Sequence, residues 1–418
     1  MELTVGSLVA GGDAIGRLPS GKVVFVEGAL PGETVVVELT NARKDYSRAT
    51  VIDIVDPSPD RVTPPCPHVA RGCGGCQWQH ASPVGQYDAK VRIAIESLAR
   101  IGRVTPSEEL VVRAASGGRI SSTAYRTTVR LAFDSEGRAG FRRKSSNDVV
   151  AVEDCLVAHP LLTPALGALS ARRGSDVEVT LRCSTTTGVV GAMVHGNESD
   201  VRGLESVDVV GDEARLVETV HGVDLVVSMG SFFQSGPAAA EMLVEAVRTL
   251  AGPEALSGAF GQVVDAYGGC GLFAATIVPS HVPVTLVEAN PLAVADARQN
   301  LAGRRATIIE SAIEEWQPQP AGLVIADPAR SGLGPDGVAA IAATRAPIVV
   351  LVSCDAAAGA RDVRLLAEAG YELDDLLVLD LFPHTNHLEM VMRLRRNIPA
   401  DESRPVTRFG AVPVPPAA

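Results

Sequence analysis

Val263-Val264-Asp265-Ala266-Tyr267-Gly268-Gly269-Cys270-Gly271 decides the fold class of this 418-residue chain, because a short, mostly apolar run passes directly into a glycine-rich turn. Such a run predicts a buried strand, and glycines allow a backbone to approach a ligand closely. A helical pattern follows at Leu272–Ile277. In α/β proteins the ligand lies beyond the carboxyl ends of the strands, so this turn predicts a cofactor site.

Strand and helix patterns alternate outward from this turn, between Gly236 and about Arg396. This alternation predicts an α/β domain with a doubly wound, mostly parallel sheet. The expected strands are Val263–Ala266, Val284–Val287, Thr307–Ile309, Leu323–Ala326, Ile348–Val352, Leu376–Asp380 and Glu389–Leu394, and the expected helices are Ala238–Leu250, Leu272–Ile277, Pro291–Leu301, Pro335–Ala343 and Ala360–Ala369.

The chain upstream of this domain has a different texture. Short valine-rich runs separated by Gly and Pro turns predict a small β-barrel over residues 1–60. Residues 61–228 begin with a cysteine-rich segment and continue as a β-rich central domain, with one helix expected near Pro160–Arg172. The α/β domain is expected over residues 229–397, and the Pro-rich, polar tail over 398–418 is expected to be disordered.

Bulk composition excludes some classes of protein. The chain has no signal-peptide pattern at its start and no membrane-spanning run, so a cytoplasmic protein is expected. A monomer is expected as well. The net charge of −12 argues weakly against nucleic-acid binding, but one stretch is basic enough to bind phosphate. That stretch contains Arg126, Arg130, Arg138, Arg142, Arg143 and Lys144, against Asp134 and Glu136.

An acid about twenty residues beyond the glycine turn strengthens the prediction of a cofactor site. Glu288 ends the next expected strand, where a carboxylate can accept hydrogen bonds from ribose hydroxyls. NAD would also fit this arrangement. The turn lacks the G-x-G-x-x-G spacing of dinucleotide sites, however, and Asp265-x-Tyr267-Gly268-x-x-Gly271 resembles the first motif of class I methyltransferases. This resemblance favours S-adenosylmethionine.

Three reactive side chains are expected at the same edge of the sheet. Asp327 and Cys354 each follow an expected strand directly, and Glu389 begins the last one. A thiolate can add to C6 of uracil, which makes C5 nucleophilic towards a methyl donor, and a base must then remove the C5 proton. Cys354 is the expected nucleophile and Glu389 the expected base. His384 and His387, on the loop before Glu389, leave a metal site as a weaker alternative.

Seven cysteines, an odd number, speak against a disulfide framework. Cys66, Cys73 and Cys76 are closely spaced, and Cys155 is the best distant fourth ligand. Four thiolates suit zinc or an iron–sulfur cluster, and three thiols plus a remote one look more like a cluster. His80 competes with Cys155 as a ligand in the zinc alternative, and Cys183 and Cys270 are expected in cores.

Together these motifs resemble the RNA 5-methyluridine methyltransferases, in the ribosomal-RNA branch that carries a TRAM domain and a 4Fe-4S cluster. The resemblance covers roughly residues 1–395 and is most specific at Cys73-Gly74-Gly75-Cys76-x-x-Gln79-His80. It implies a Rossmann-like class I methyltransferase domain preceded by an OB-like TRAM barrel and a β-rich central domain. The other stretches that carry it are Val24–Glu33, Ser58–Val62, Tyr125-Arg126, Gly140-Phe141-Arg142 and Phe232-Phe233-Gln234.

The resemblance also implies roles for individual residues. Cys354 matches the family's nucleophile, Glu389 its base, and Arg126 an arginine that contacts RNA near the target. It implies S-adenosylmethionine and a 4Fe-4S cluster as cofactors, with zinc less favoured, and structured RNA as partner, ribosomal in preference to transfer RNA. The implied cofactor-binding residues are Gln234, Tyr267, Leu272, Glu288 and Asp327, and the implied cluster ligands are Cys66, Cys73, Cys76 and Cys155.

The chain departs from the family pattern at several positions. Ala312 stands where Asn or Asp often contacts the cofactor, Ala329 replaces a Pro, and Asp355-Ala356 replaces the Asn-Pro that usually follows the cysteine. Two rival functions therefore stay open: a catalytically inactive RNA-binding protein with a metal cluster, and a methyltransferase acting on DNA or protein. The pair Cys354 and Glu389 favours uridine methylation over both.

Overall fold

The computed structural model describes residues 1–397, so the tail over 398–418, expected to be disordered, lies outside the described residues. The first 56 residues form the predicted closed barrel, with strand order β1-β2-β3-β5-β4. Alternate side chains such as Val35 and Val37 fill its interior, as the period of two along a strand requires. The strands are β1 Glu2–Leu8, β2 Ala14–Arg17, β3 Val23–Glu27, β4 Thr34–Ala42 and β5 Tyr46–Asp56.

Three helices follow the barrel: α1 (Pro67–Ala70), α2 (Pro83–Arg100) and α3 (Glu108–Ala114). The hydroxyl of Ser82 accepts a hydrogen bond from the backbone N–H of Gly85 and so caps the first turn of α2. The buried face of α2 joins the barrel interior to one face of the seven-stranded sheet of the C-terminal α/β domain, called the catalytic sheet below, in a single apolar core. The helix therefore connects the N-terminal barrel to the catalytic domain.

The central domain is a six-stranded sheet with the order β13-β11-β10-β6-β7-β8 and an apolar core of its own. The helix expected near 160–172 is one 3₁₀ turn, Pro160–Leu162, followed by α4 (Thr163–Ala168). The strands are β6 Thr128–Phe133, β7 Ala139–Arg142, β8 Val149–Ala151, β9 Ser170–Ala171, β10 Glu178–Cys183, β11 Val190–His195, β12 Val201–Arg202 and β13 Val209–Val210, with 3₁₀ turns at Glu198–Asp200 and Leu204–Ser206.

The α/β domain contains a seven-stranded sheet with the order β18-β17-β16-β19-β20-β22-β21, in which only β22 runs antiparallel to its neighbours β20 and β21. This is the predicted doubly wound α/β architecture. The strands are β16 Val263–Ala266, β17 Val284–Glu288, β18 Ala306–Glu310, β19 Leu323–Ala326, β20 Ile348–Ser353, β21 Tyr371–Leu379 and β22 Glu389–Arg396; the helices are α5 Pro237–Ala251, α6 Pro253–Leu256, α7 Leu272–Thr276, α8 Pro291–Asn300, α9 Gly334–Ala343 and α10 Ala356–Glu368.

Packing divides the chain differently from the expected boundaries at residues 60 and 228. A hairpin of β14 (Arg215–Val220) and β15 (Val223–Ser228) packs against α8 and α5, so it shares a core with the catalytic sheet. Helix α2 packs against α10, and α3 packs against β21. We therefore propose that these segments belong to the catalytic domain. Within residues 1–397, every helix is too short or too polar to cross a membrane.

Candidate active site

The carboxyl edge of the parallel strands brings the predicted cofactor residues together. Strands β16, β17 and β19 are in register, with Ala266 opposite both Val287 and Ala326. Tyr267, Glu288 and Asp327, one residue further along each strand, therefore lie at one edge of the sheet. Parallel strands end at a common edge, and this is the position at which α/β sheets bind ligands.

The glycine turn is folded around the Glu288 carboxylate. Its Oε2 accepts a hydrogen bond of 3.0 Å from the backbone N–H of Gly269, and its Oε1 accepts one of 2.7 Å from that of Asn290. The turn needs left-handed backbone at Tyr267 (φ 60°) and Gly271 (φ 88°). A tyrosine in this conformation is uncommon, and such strain is concentrated at functional sites.

Asp265 supplies an acid at the base of the same turn. Its Oδ2 accepts a 3.0 Å hydrogen bond from the backbone N–H of Ala274, whereas Oδ1 is buried without a partner in residues 1–397. Burial raises the pKa of Asp265 to about 8. An unpaired buried oxygen beside a left-handed glycine turn fits a site built to receive a polar ligand such as the nucleoside of a cofactor. Leu272, the first residue of α7, is buried beside it.

The predicted nucleophile and base lie opposite each other. Strands β20 and β22 are antiparallel, with Ser353 opposite Met390. Cys354, the residue after Ser353, and Glu389, the residue before Met390, therefore meet at the edge where Asp327 leaves the neighbouring strand β19. Three elements distant in sequence thus place one thiol and two carboxyl groups together.

Burial and mutual repulsion control the protonation of these three groups. Burial raises the pKa of Glu389 well above its usual value, and the nearby charge of Asp327 raises it further. Burial also raises the pKa of Asp327 to about 7 and that of Cys354 to about 11. Arg330 lies beside the thiol and acts in the opposite direction on the pKa of Cys354, as an adjacent cation should. Oε1 of Glu389 is buried without a hydrogen-bond partner in the described residues.

Gln234 is held at the same place by contacts between domains. Its Nε2 lies 3.5 Å from Oδ2 of Asp327, so it adjoins the reactive groups as well as the cofactor edge. Ser228 and Ser231 lie just before Gln234 in the sequence. Their hydroxyls donate hydrogen bonds to the carboxylate of Asp296 on α8. The buried guanidinium of Arg182, from the central sheet, donates to the carbonyl oxygens of the same two serines. The segment that leads to Gln234 is therefore hydrogen-bonded to the central sheet through Arg182 and to helix α8 through Asp296.

Phe232, in this segment, is 72% exposed although it is a large aromatic side chain. An exposed aromatic ring two residues from a pocket residue is a suitable surface for stacking a nucleobase. The motif Phe232-Phe233-Gln234 was singled out in the sequence for its glutamine alone. Because Phe233 is buried and Phe232 is not, only the structure separates the two rings.

The departures from the family pattern have mild structural consequences. Both Ala357 and Ala358 donate backbone hydrogen bonds to Oδ1 of Asp355, at 3.0 and 2.8 Å, so this residue caps α10 directly after the thiol. An aspartate is a good helix cap, which explains how the site tolerates it. Ala329 is exposed, and Ala312 lies in the turn that follows β18. The hydroxyl of Tyr267 approaches Oε1 of Glu314 on that turn at 3.5 Å.

The four predicted cluster cysteines line one cavity of about 190 Å³. Cys66, Cys73, Cys76 and Cys155 are free thiols, and burial raises the pKa of the last three. Within residues 1–397, no three His, Cys, Asp or Glu side chains are close enough to coordinate one metal ion. The four thiols therefore share one cavity, as the sequence predicted, while the identity of a group bound there stays a prediction. Cys183 and Cys270 are buried in cores, as expected.

Arg126 lies between this cavity and the candidate active site. Its guanidinium lines the cavity, and its charge acts on the thiols of Cys76 and Cys155. It also contributes, with Arg330 and burial, to lowering the pKa of His387 to about 4. His387, two residues before Glu389, is therefore a neutral imidazole at neutral pH. Sequence reasoning gave no role to Arg330 and considered His387 only as part of a weaker metal alternative.

The basic stretch predicted from sequence is largely neutralised in the fold. Glu178 pairs with both Arg130 and Arg142, at 2.6 and 2.9 Å, and Asp134 pairs with Arg138 at 2.7 Å. Lys144 pairs with Glu27 and Asp13 of the barrel. Because these four side chains are paired with carboxylates, the stretch offers fewer unpaired positive charges for binding phosphate than its sequence suggests.

Known proteins resemble the chain both in parts and along its whole length. A family model described as the TRAM domain matches residues 1–52, the predicted barrel. An uncharacterised RNA methyltransferase of Streptomyces coelicolor is 34% identical, with 93% of this chain and 91% of the relative covered. The 23S rRNA (uracil(1939)-C(5))-methyltransferase RlmD of Chromohalobacter salexigens is 31% identical, over 97% of this chain and 91% of the relative.

A solved structure has the same arrangement of domains. The tRNA (uracil-54, C5)-methyltransferase of Pyrococcus abyssi, in complex with S-adenosyl-L-homocysteine, matches with a TM-score of 0.70 and 24% identity, covering 94% of this chain and 100% of that one. At this identity the match establishes the fold, a class I methyltransferase domain. The two relatives above 30% identity, each aligned over more than 90% of this chain, establish together with the TRAM match that this chain belongs to the TRAM-containing family of RNA methyltransferases.

Proposed function

We propose that this RNA methyltransferase transfers the methyl group of S-adenosylmethionine to C5 of a uridine, through a transient bond between Cys354 and C6 of the base. The observation that carries the proposal is the meeting of Cys354 and Glu389 at the sheet edge, beside Asp327. Methylation of a base nitrogen or of a protein needs no thiol. A thiol facing a buried carboxyl group is what methylation at an unactivated ring carbon requires.

The reaction divides into addition, methylation and elimination. The Cys354 thiolate adds to C6, and the electron pair of the C5–C6 double bond moves to an enolate over C5, C4 and O4. When bound, S-adenosylmethionine supplies an electrophilic methyl group, which the enolate carbon takes up. Glu389 then removes the C5 proton, the double bond re-forms, and the thiolate leaves. The net products are 5-methyluridine, S-adenosylhomocysteine and one proton.

Protonation states in the site suit this sequence. The pKa of Cys354 is raised to about 11, so the free protein holds a thiol that must lose its proton when the base arrives. Burial raises the pKa of Asp327 to about 7 and the pKa of Glu389 well above its usual value, so both carboxylates are stronger proton acceptors than exposed ones. For the same reason Glu389 is a stronger base than an exposed carboxylate once it is ionised.

The remaining pocket residues would bind the flipped uridine. Asp327 can accept a hydrogen bond from N3–H of uracil, and the adjacent Nε2 of Gln234 can donate to a ring carbonyl. The exposed ring of Phe232 provides a stacking surface, and Arg126 can contact the neighbouring phosphate. Extrusion of the base into such a pocket is how enzymes reach atoms inside a stack.

Two cofactors follow from the same residues. Tyr267, Leu272 and Glu288 would hold S-adenosylmethionine at the glycine turn, with Gln234 and Asp327 at the methyl side. The four thiols of Cys66, Cys73, Cys76 and Cys155 would hold a 4Fe-4S cluster in their cavity, where it would stabilise the segment between barrel and α2. We infer ribosomal rather than transfer RNA as substrate, because the relative RlmD, which is 31% identical over 97% of this chain, acts on 23S rRNA by its name.

The test is methyl transfer from labelled S-adenosylmethionine to total unmodified RNA, with the labelled base and its position identified by mass spectrometry. The expected product is 5-methyluridine at one site in ribosomal RNA. Cys354→Ala should abolish transfer, whereas Cys183→Ala, a buried cysteine of the central sheet, should leave transfer in place. Label in a nitrogen-methylated base, or unchanged uridine methylation by Cys354→Ala, would refute the proposal.

A further inference from the structure

The loop that leads to Glu389, residues 380–388, is called the base loop here. Several parts of the chain hold it, among them a turn of the barrel, the segment after the cysteine cavity, helix α2, residues 118–120, Tyr125 and Ser235. Glu389 itself is 4% exposed, and its Oε1 has no hydrogen-bond partner in the described residues. The position of this carboxylate therefore depends on the backbone on both sides of it: strand β22, in which Glu389 pairs with Leu379 of β21, and the base loop that leads into that strand.

Gln86 of α2 makes the closest set of contacts with the base loop. Its Oε1 accepts a 2.7 Å hydrogen bond from the backbone N–H of His384, and its Nε2 lies 3.3 Å from Nδ1 of the same histidine. The same Nε2 also donates to the carbonyl oxygens of Trp78 and Ala81. His384 has left-handed backbone (φ 67°), which costs about 1 kcal/mol and persists only where the surroundings enforce it. Gln86 supplies that enforcement.

Lys90, one turn further along α2, fixes the start of the base loop. Its buried ammonium group donates to Oδ1 of Asp380 at 2.6 Å and to the carbonyl oxygen of Phe382 at 3.0 Å. Oδ1 of Asp380 in turn accepts a hydrogen bond from the backbone N–H of Phe382. A buried pair of this kind confers little net stability, but it specifies one arrangement because either charge alone would be costly to bury.

The barrel reaches the base loop through Trp78. The backbone N–H of Trp78 donates to the carbonyl oxygen of His384 at 2.9 Å, and its indole Nε1 donates to that of Gly12 at 3.0 Å. Gly12 packs so closely that a Cβ there would lie 2.8 Å from Cβ of Asn386. The neighbouring Gly11 has a similar φ, but a Cβ there would meet nothing within 4 Å. The barrel turn therefore contacts the base loop closely at Gly12 and not at Gly11.

We propose that Gln86 and Lys90 are positioning residues that hold Glu389 where it can remove the C5 proton, and that Gly12 of the barrel turn completes this support. The inference rests on the proposed uridine C5 methylation. The inference is that these three residues act in the last part of the reaction, the removal of the C5 proton. Addition of Cys354 depends on strand β20 and α10, to which the side chains of Gln86 and Lys90 make no hydrogen bond, whereas proton removal depends on the base loop, to which both do.

The test separates the two halves of the reaction with RNA containing 5-fluorouridine at the target site. A fluorine at C5 cannot be removed as a proton, so the covalent adduct accumulates at the rate of the steps before proton removal. Gln86→Leu should form this adduct at the wild-type rate but should methylate ordinary RNA at least tenfold more slowly, with an unchanged KM for S-adenosylmethionine. On ordinary RNA the slow variant should accumulate methylated adduct.

Tyr87→Phe is the matched control. The Tyr87 hydroxyl is on the same helix; it donates to the carbonyl oxygens of Ala115 and Val378 and accepts from the backbone N–H of Gly118, so it contacts no residue of the base loop directly. On ordinary RNA, Tyr87→Phe should turn over at the wild-type rate and should accumulate no methylated adduct. Equal slowing of adduct formation and turnover by Gln86→Leu would overturn the assignment to proton removal. So would an effect of the same kind in Tyr87→Phe.

A second pair of variants keeps the test independent of α2, in case Gln86→Leu does not fold. Gly12→Ala should slow turnover more than adduct formation, because its methyl group displaces Asn386. Gly11→Ala carries the same backbone strain without that contact and should leave the ratio of the two rates unchanged. Identical ratios in the two variants would overturn the proposal. Failure of wild-type protein to form any adduct, with no methylation of uridine, would instead refute the proposed function and the positioning role with it.

Discussion

The reactivity of Cys354 in the free protein provides a quantitative prediction. Burial and the charges of Glu389 and Asp327 raise the pKa of this thiol to about 11, against the partial relief that Arg330 provides. At pH 8 a thiol with a pKa of 11 is about 0.1% thiolate, whereas an unperturbed thiol with a pKa of about 8.5 is roughly 24% thiolate. The thiolate fraction thus differs by about 240-fold.

Part of this difference is offset by intrinsic reactivity. A more basic thiolate is a better nucleophile, and a Brønsted coefficient of 0.4–0.5 over about 2.5 pKa units gives roughly a tenfold gain. The net expectation is that Cys354 reacts about 20-fold more slowly than an unperturbed thiol at pH 8. The rate should then rise about tenfold per pH unit up to pH 10, because the thiolate fraction does.

The assay is alkylation of native protein by iodoacetamide across pH 7–10, with the Cys354 peptide quantified by mass spectrometry. Since the chain has seven cysteines, each peptide must be followed separately. Glutathione in the same tube serves as the unperturbed reference. A Cys354 peptide that reacts as fast as the reference at pH 8, with a midpoint near 8.5, would refute the electrostatic description of the site.

Three further predictions concern the neighbours of the thiol, the RNA surface and the cluster. Asp327→Asn removes a negative charge beside the thiol, so the pKa of Cys354 should fall and its alkylation at pH 8 should speed up severalfold in the same assay, while methylation is lost; unchanged alkylation would contradict the coupling. Phe232→Ala should raise KM for RNA about tenfold, since base stacking contributes about 1–3 kcal/mol, and should leave the urea midpoint of unfolding unchanged because the ring is exposed; equal KM values would exclude stacking. Cys155→Ser should lower bound iron and the visible absorbance of anaerobically purified protein, whereas Cys183→Ser, in the neighbouring core, should not; iron content equal to wild type in Cys155→Ser would remove it from the ligand set.

The catalytic sheet could be predicted from sequence because its signals are local. Val263–Ala266 and Leu323–Ala326 are short apolar runs, and each is fully buried in a parallel strand. Because such strands end at a common edge, the residues that follow them had to meet, and Asp327 and Cys354 do so. Glu389 could be placed there as well, since it begins the strand that pairs with β20.

Other parts of the site depend on contacts that sequence spacing does not reveal. Gln86 and His384 are separated by 298 residues, and no local pattern links an amide on α2 to a left-handed histidine. The basic stretch looked like a phosphate surface because Glu178, which pairs with two of its arginines, lies on a different strand. Charge counting within one segment fails wherever the fold brings in counter-charges from another.

The hairpin of β14 and β15 illustrates the same limit for domain boundaries. Its alternating pattern is indistinguishable from that of the central sheet before it, which placed the expected boundary after it. The packing of Leu225 and Val227 into the core of the α/β domain is the reason for our proposal that the hairpin belongs to that domain. Period-two patterning predicts that a strand has a buried face but does not say which core receives it.

The most direct test of the central claim is to isolate the bond between protein and base. Glu389→Gln protein, incubated with S-adenosylmethionine and unmodified ribosomal RNA and then digested with trypsin and ribonuclease, should yield the peptide containing Cys354 with a methylated uridine nucleotide attached through sulfur. The same digest of Cys354→Ala with Glu389→Gln should lack it. A uridine attached to any other residue, or methylated RNA released freely by Glu389→Gln with no adduct, would contradict the account.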